Sequence, residues 1–593
     1  VRYRFLNTES VAGDFDGVRS AAVHRDVPVP MRDGTILRAD VWRPAAEGRF
    51  PVLLQRLPYS KADASVAIVQ AGLDPVRATE AGFVVVIQDC RGRFASDGDF
   101  VPFVNEGADG EDTVAWCAAL PFSDGAVGMY GQSYFGATQL LAAARRPPAL
   151  KAIAPALTAA DYYDGWTYRG GVLELGFVLY WTLLSLAGEG IARCPAAARP
   201  RLQAALDRRL ADPWAAFAQI PVDDLADLAE AVPYFRAWLQ HDERDEHWRA
   251  IAPNERYGDV VTPALHIGGW FDPFLAGTLE NYAGLRAAAG AEEARAAQRL
   301  VVGPWSHACL GDTIGDVDFG PESSQAATDW TAMHLRWFDE QLRPAAVAET
   351  HAPVRFFLMG ARRWIDAEQW PLPGTRAQDW FLHSGGDANS RRGDGRLALE
   401  RCGAGEPSDC FVYDPVDPVP TAGGAVFLPG IFVAGHAGPR DQREVELRRD
   451  VLVYTSAPLA ADHDVVGTVR ATLSVSSSCS ETDFSAKLID VHPDGRAISI
   501  CDGIARAVAP DPDRPLVVEL GATAIRLLAG HRIRLEVSSS NFPRFARNPN
   551  SGASRIAARH EDLAVATQRV HHDADRPSSL TLPICPVPVA SAP

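Results

Sequence analysis

"GMYGQSYFGATQLLAAA", Gly128 to Ala144, is the stretch on which the fold turns. A short apolar run reaches Tyr130, a glycine follows at 131, and a serine stands two residues later at 133. The remainder is alanine-rich and has the composition of a helix. A strand that bends sharply into a helix exposes a serine hydroxyl at the edge of an α/β sheet, usually with the pattern G-x-S-x-G. Here Phe135 holds the place of the second glycine, which comes one step late at Gly136. Gly131 keeps side-chain atoms out of the turn beneath Ser133. Phe135 then fits if helix and strand stand slightly further apart.

Outward from this turn the chain supplies the rest of a parallel sheet. "AAVHRDVPVPMRDGTILRADVWRP" (Ala21 to Pro44) alternates apolar and polar residues about Asp33-Gly34, which reads as a β-hairpin. "FPVLLQRLPY", "GFVVVIQDCRG", "LKAIAPAL", "TPALHIGGWFD" and "QRLVVGPWSH" are short, continuously apolar runs, as expected for strands covered on both faces. Helical stretches such as "EGADGEDTVAWCAAL" lie between them. Strands alternating with helices imply a mostly parallel α/β sheet, and with the serine turn the expectation is an α/β-hydrolase fold.

Two changes of texture divide the chain. Residues 160–259 are rich in Ala, Leu, Arg and Trp at helical spacing, and read as a helical cap inserted between two parts of the α/β domain, 1–159 and 260–370. From 371 to 593 short alternating runs such as "VVGTVRATLSVSSS" and "HRIRLEVSSSN" predict an all-β jelly-roll domain.

Composition sets further bounds. The 593 residues exceed one hydrophobic core, so several domains are expected. The net charge of −18 argues against nucleic acid or an anionic membrane as a partner. The most apolar run, "LGFVLYWTLLSLA" (Leu175 to Ala187), is short of the roughly 20 residues that span a bilayer. The first residues lack the apolar core of a signal peptide, and the nine scattered cysteines include no C-x-x-C pair. A cytoplasmic protein with mostly buried thiols is the expectation. A homo-oligomer is compatible with the sequence, which leaves the oligomeric state open.

A serine hydroxyl needs a base to become a nucleophile at neutral pH. In this fold the base follows in the order serine, acid, histidine, each just past a strand. Asp272 follows "PALHIGGWF" and His307 follows "RLVVGPWS", with room between them for one crossover helix. Ser133, Asp272 and His307 thus have the order and positions of a catalytic triad. No metalloprotease motif, phosphate loop or dinucleotide fingerprint occurs, so the reading requires no metal and no cofactor.

The segments "RLPYSK", "VIQDCRGRFASDGDFVPF", "VGMYGQSYFGATQ", "GGWFDPF", "VVGPWSH", "TDFSAKLIDVHPDGRA" and "GHRIRLEVSSSNFPRFARNPN" resemble, in order, the cocaine-esterase family. That family includes α-amino-acid ester hydrolases, glutaryl-cephalosporin acylases and X-prolyl dipeptidyl peptidases. The form G-x-S-Y-x-G is the family's own nucleophile turn. The resemblance implies an oxyanion hole made by the hydroxyl of Tyr59 and the backbone N–H of Tyr134. It implies a substrate pocket around Trp166, Trp181, Phe274 and Gln70, with Ala67 where an aligned relative carries tryptophan. Trp181 also fits the hydrophobic core of the helical segment.

The small-molecule substrate expected is an ester with an uncharged acyl or aryl group. "DPFLAG" after Asp272 is apolar, and burying an ammonium group there without a counter-charge is unfavourable. An amidase, a β-lactam acylase or an acyltransferase would use the same triad, and a non-catalytic binding protein is the reading from another class. "HDERDEH" (His241 to His247) reads as a solvated helix face, and "HHD" (His571 to Asp573) as a surface loop.

Overall fold

The computed structural model describes residues 8–10, 21–70, 72–222, 225–343, 352–430 and 436–585, with side chains at all of these except 8–10 and 68–70. Eleven strands form the first sheet. Named by first residue, their order is Thr8, Ala21, Ile36, Val84, Phe50, Ser123, Leu150, Leu265, Arg299, Val354, Arg363. Every pairing from Val84 to Val354 is parallel. The hairpin Ala21–Pro30/Ile36–Pro44 and the final strand Arg363–Ala367 pair antiparallel at the two sides.

The continuous apolar runs become strands buried on both faces. Phe50–Leu57 and Val84–Asp89 send alternate side chains to opposite sides: Leu53, Val85 and Ile87 join one core, while Val52, Leu54, Val84 and Val86 join another. Strand order reverses around Phe50–Leu57. The chain passes from it to Val84–Asp89 on one side and then to Ser123–Gln132 on the other. In open α/β sheets the crevice at such a reversal, past the carboxyl ends of the strands, is where ligands bind.

Between Leu150–Ala156 and Leu265–Phe271 the chain leaves the sheet. A small hairpin, Tyr168–Arg169 with Val172–Leu173, precedes the helices expected there. The first helical stretch runs from Leu175 to Arg193, further than the apolar run that opens it, because Glu189 and Arg193 continue the helix as an ion pair. By length and composition it could cross a membrane, but its apolar window is 61% buried within the protein, as in a core helix. Helices Arg199–Ala211, Pro213–Ala218 and Pro233–Gln240 follow.

The C-terminal region is all-β. Its longest strand, His463–Ser477, pairs with Leu516–Leu527 and Ser579–Ile584, and its last residues pair with Ala566–His571. Gly170 accepts from the amide of Arg506 on strand Ala497–Val508, and buried Arg544 bonds Asp502 at 2.6 Å while facing Glu174 at 3.5 Å. These contacts fix the all-β region against the insertion.

Two local expectations are corrected. His241–His247 is not one helix face: His241–Asp245 link helix Pro233–Gln240 to helix Glu246–Arg249, which Asp245 caps and in which His247 lies. His572 is not on a surface loop: it is fully buried beside Asp409, just after strand Ala566–His571. A buried carboxylate partner gives an imidazole a place inside that its sequence neighbours do not reveal.

Candidate active site

Strand Ser123–Gln132 ends one residue before Ser133, and helix Tyr134–Ala143 begins one residue after it. Ser133 has φ 59° and ψ −125°, and its N–H reaches the carbonyl of Ala156 at 2.9 Å. This strained bend holds the hydroxyl out at the sheet edge.

The two glycines of the turn have separate jobs. A Cβ on Gly131 would lie 2.7 Å from Cβ of Phe135, so a side chain there would collide with the first helical turn. A Cβ on Gly136 would lie 2.7 Å from Thr158, just past the neighbouring strand. The close approach of helix to strand therefore occurs at Gly136. Phe135 does not separate them; its ring turns toward Tyr59, 5.6 Å between centroids, and lines the cavity.

Strands Leu265–Phe271 and Arg299–Ser306 are parallel neighbours and end at this same edge. Asp272 follows the first and His307 the second. His307 Nε2 lies 3.0 Å from Ser133 Oγ, and His307 Nδ1 lies 2.7 Å from Asp272 Oδ1. Asp272 is 1% exposed, His307 5%, and Ser133 is half-buried. Burial lifts the Asp272 carboxyl above its ordinary range, opposed by the adjacent imidazole. With the Nδ1 proton held by this carboxylate, Nε2 presents its lone pair to the serine hydroxyl.

Tyr59 lies two residues past strand Phe50–Leu57, the parallel neighbour of Ser123–Gln132, so it faces the crevice at the reversal of strand order. Its hydroxyl accepts the indole N–H of Trp181 at 2.8 Å. Burial pushes that hydroxyl well above the ordinary tyrosine range, so it remains a neutral donor. The Tyr134 amide occupies the first helical turn, where N–H groups have no acceptor within the helix. Its side chain points the other way, donating to Glu106 at 2.9 Å and accepting from the amide of Phe103 at 2.8 Å.

A cavity of about 310 Å³ opens over Ser133 and His307. Trp181 and Phe135 line it together with Phe177 and Phe427. Trp166 and Phe274 do not: each is 1% exposed, and they stack on one another at 4.3 Å as a layer behind Phe177, Trp181 and His307. Ala67 is buried in the core, and its neighbour Val66 faces the cavity. Gln70 closes the short π-helical segment Ser65–Gln70, and its side chain lies outside the described residues.

Three contributors had gone unmarked in the sequence. Phe427, from the C-terminal region, brings its ring 5.6 Å from that of His307, so the all-β region helps to wall the cavity. Arg169 donates to the carbonyl of Pro273 at 2.7 Å and pairs with Glu174 at 2.9 Å, holding the loop that carries Asp272. Asp63 places a carboxylate at the rim.

Comparison with known proteins agrees with this architecture. Residues 33–309 match the X-Pro dipeptidyl-peptidase (S15) family, and residues 345–581 match the C-terminal non-catalytic domain of X-Pro dipeptidyl-peptidase. Cocaine esterase from Rhodococcus sp. is 40% identical over 95% of this chain and 98% of its own. The chain belongs to the S15 family. Among solved structures, an aminopeptidase from a marine-sediment Thaumarchaeota archaeon superposes with a TM-score of 0.79, at 24% identity over 97% of this chain and 98% of its own. An α-amino-acid ester hydrolase gives 0.78, at 24% identity and the same coverages. Both likenesses concern the fold. The S15-family chain thus has an α/β-hydrolase domain followed by an all-β domain.

Proposed function

We propose that this S15-family protein is a carboxylic-ester hydrolase that works through an acyl-enzyme on Ser133. The observation that carries the reading is the continuous chain of hydrogen bonds from Ser133 Oγ through His307 to Asp272, at 3.0 and 2.7 Å. His307 removes the hydroxyl proton as Ser133 attacks the carbonyl, then returns it to the leaving alkoxide. Asp272 keeps the imidazole in the required tautomer and offsets its positive charge. The Tyr59 hydroxyl and the Tyr134 amide receive the negative oxygen of the tetrahedral intermediate. Water, activated by the same imidazole, releases the acid.

The cavity supports an uncharged acyl or aryl group. Phe135, Phe177, Trp181 and Phe427 supply apolar walls, and among the described lining residues the one carboxylate, Asp63, is solvent-exposed and engaged by the amide and hydroxyl of Ser65. A cationic acyl group would be desolvated against rings with no buried partner. The 40% identical relative is named cocaine esterase, which agrees with an ester as the substrate.

Ser133→Ala is the test. Hydrolysis of p-nitrophenyl acetate and butyrate is expected to fall by several orders of magnitude, and a fluorophosphonate probe is expected to label only the unaltered protein. Substantial retained turnover in the folded variant would overturn the assignment.

A further inference from the structure

Far along the chain from Ser133, three side chains of the all-β region turn ligand atoms toward a common point. His383, Cys402 and Glu406 bring an imidazole nitrogen, a thiol sulfur and a carboxylate oxygen within 4.8 Å of one another. His383 ends strand Arg376–His383, while Cys402 and Glu406 lie between strands Arg396–Ala398 and Asp409–Tyr413. His383 is 8% exposed and Cys402 6%. His383 Nδ1 is 3.0 Å from Glu406 Oε1.

A fourth group reaches the cluster from elsewhere in the fold. His572 is fully buried, and its Nδ1 lies 3.5 Å from Glu406 Oε2 with no hydrogen-bond partner. Glu406 Oε2 has none either.

Both imidazoles are braced from behind. His383 Nε2 meets the carbonyl of Glu400 at 3.0 Å, and His572 Nε2 meets Oδ2 of Asp409 at 3.0 Å. Asp409 is itself fixed by Ser384, Tyr454 and the amide of Ala388. A backbone carbonyl or carboxylate on the far ring nitrogen is how metal-binding histidines are oriented. With those outer N–H groups engaged, both Nδ1 atoms face one carboxylate, an arrangement that a positive charge among the three, a ring proton or a metal ion, satisfies.

We propose that His383, Cys402 and Glu406 form a binding site for one zinc ion, with His572 beside it. Thiolate and imidazole ligands select zinc over calcium or magnesium, which take oxygen. The three ligands take three corners of a tetrahedral shell, and the His572 ring, 3.5 Å from Glu406 Oε2, stands next to the fourth. On binding, the Cys402 S–H bond breaks, its proton passes to solvent, and sulfur bonds the metal in place of its contact with the carbonyl of Leu382. The ion ties the 399–408 loop to the end of strand Arg376–His383.

Titration of the full, reduced, EDTA-treated chain with Co²⁺ tests this. One equivalent is expected to bind with a thiolate-to-cobalt charge-transfer band that Zn²⁺ abolishes and that is missing in Cys402→Ser. Glu406→Gln, at a half-exposed position, is expected to weaken binding at least tenfold, and Zn²⁺ is expected to raise the Tm of the unaltered chain alone. Circular dichroism establishes that each variant is folded. No band in the unaltered chain, a band that survives Cys402→Ser, or full affinity in Glu406→Gln would overturn the proposal.

Discussion

The indole N–H of Trp181 donates to the hydroxyl oxygen of Tyr59 at 2.8 Å, joining the helical insertion to the loop after strand Phe50–Leu57. A tyrosine hydroxyl has one proton to give and lone pairs to accept with. Trp181 occupies an accepting direction, which leaves the Tyr59 proton free for the cavity over Ser133. Trp181 is therefore a wall of the cavity and, on the proposed mechanism, a positioning residue for the oxyanion donor at once.

Tyr59→Phe removes the donor itself, and kcat is expected to fall roughly 10²- to 10³-fold with a smaller change in KM. Trp181→Phe keeps a ring but deletes one hydrogen bond, typically about 1 kcal/mol, so kcat is expected to fall roughly threefold to tenfold. Steady-state kinetics on p-nitrophenyl butyrate separates the two terms. If Trp181→Phe moves KM alone, the ring acts only as a wall.

Asp272→Asn tests the tautomer argument. An amide at 272 can donate to His307 Nδ1, leaving the proton on Nε2, where it blocks transfer from Ser133. The expected loss in kcat is roughly 10⁴-fold with KM nearly unchanged. A loss below about tenfold would mean that another group orients His307.

Much of this site was legible in the residues. Ser133, Asp272 and His307 stand at the ends of strands, in the order the fold demands, and a parallel sheet must bring those ends to one edge. Tyr59 was legible only through the family resemblance: alone it reads as a packing aromatic, and only the sheet shows its strand beside the serine strand at the reversal of order. The pocket was less legible. Trp166 and Trp181 are both tryptophans of the insertion, and only their stacking decides that one faces the cavity while the other backs onto Phe274. Phe427 lies in a loop of a different domain, and nothing local to it signals His307. The displaced glycine misled in a smaller way: the short distance from helix to strand falls at Gly136, so Phe135 was free to line the cavity.

Gly131→Ala is expected to damage both fold and site. Its φ of +123° disfavours any side chain, and the new methyl would meet Phe135 at 2.7 Å. Overpacking of this kind costs about 1–3 kcal/mol. Urea unfolding is expected to show that loss, and the rate of fluorophosphonate labelling at Ser133 is expected to drop. An unchanged midpoint would show that helix Tyr134–Ala143 can shift freely.

Asp89 makes stability depend on pH close to the oxyanion donor. It is 1% exposed and accepts the amides of Lys61, at 2.7 Å, and Ala95, at 3.2 Å, so it fastens the loop that carries Tyr59. Burial pushes its carboxyl from 3.8 up to about 6. A carboxyl raised on folding favours the folded state while protonated. Its contribution is fully present below pH 3.8, declines as pH rises to about 6, and is a constant cost above that. The interval corresponds to about 3 kcal/mol. Asp89→Asn carries no titrating group, so the stability of the unaltered protein relative to this variant is expected to fall between pH 4 and pH 6 and then level off. Denaturant unfolding of both proteins across that range provides the comparison. A relative stability that instead rises with pH would mean that Lys61 and the two amides outweigh desolvation and hold the carboxylate ionised.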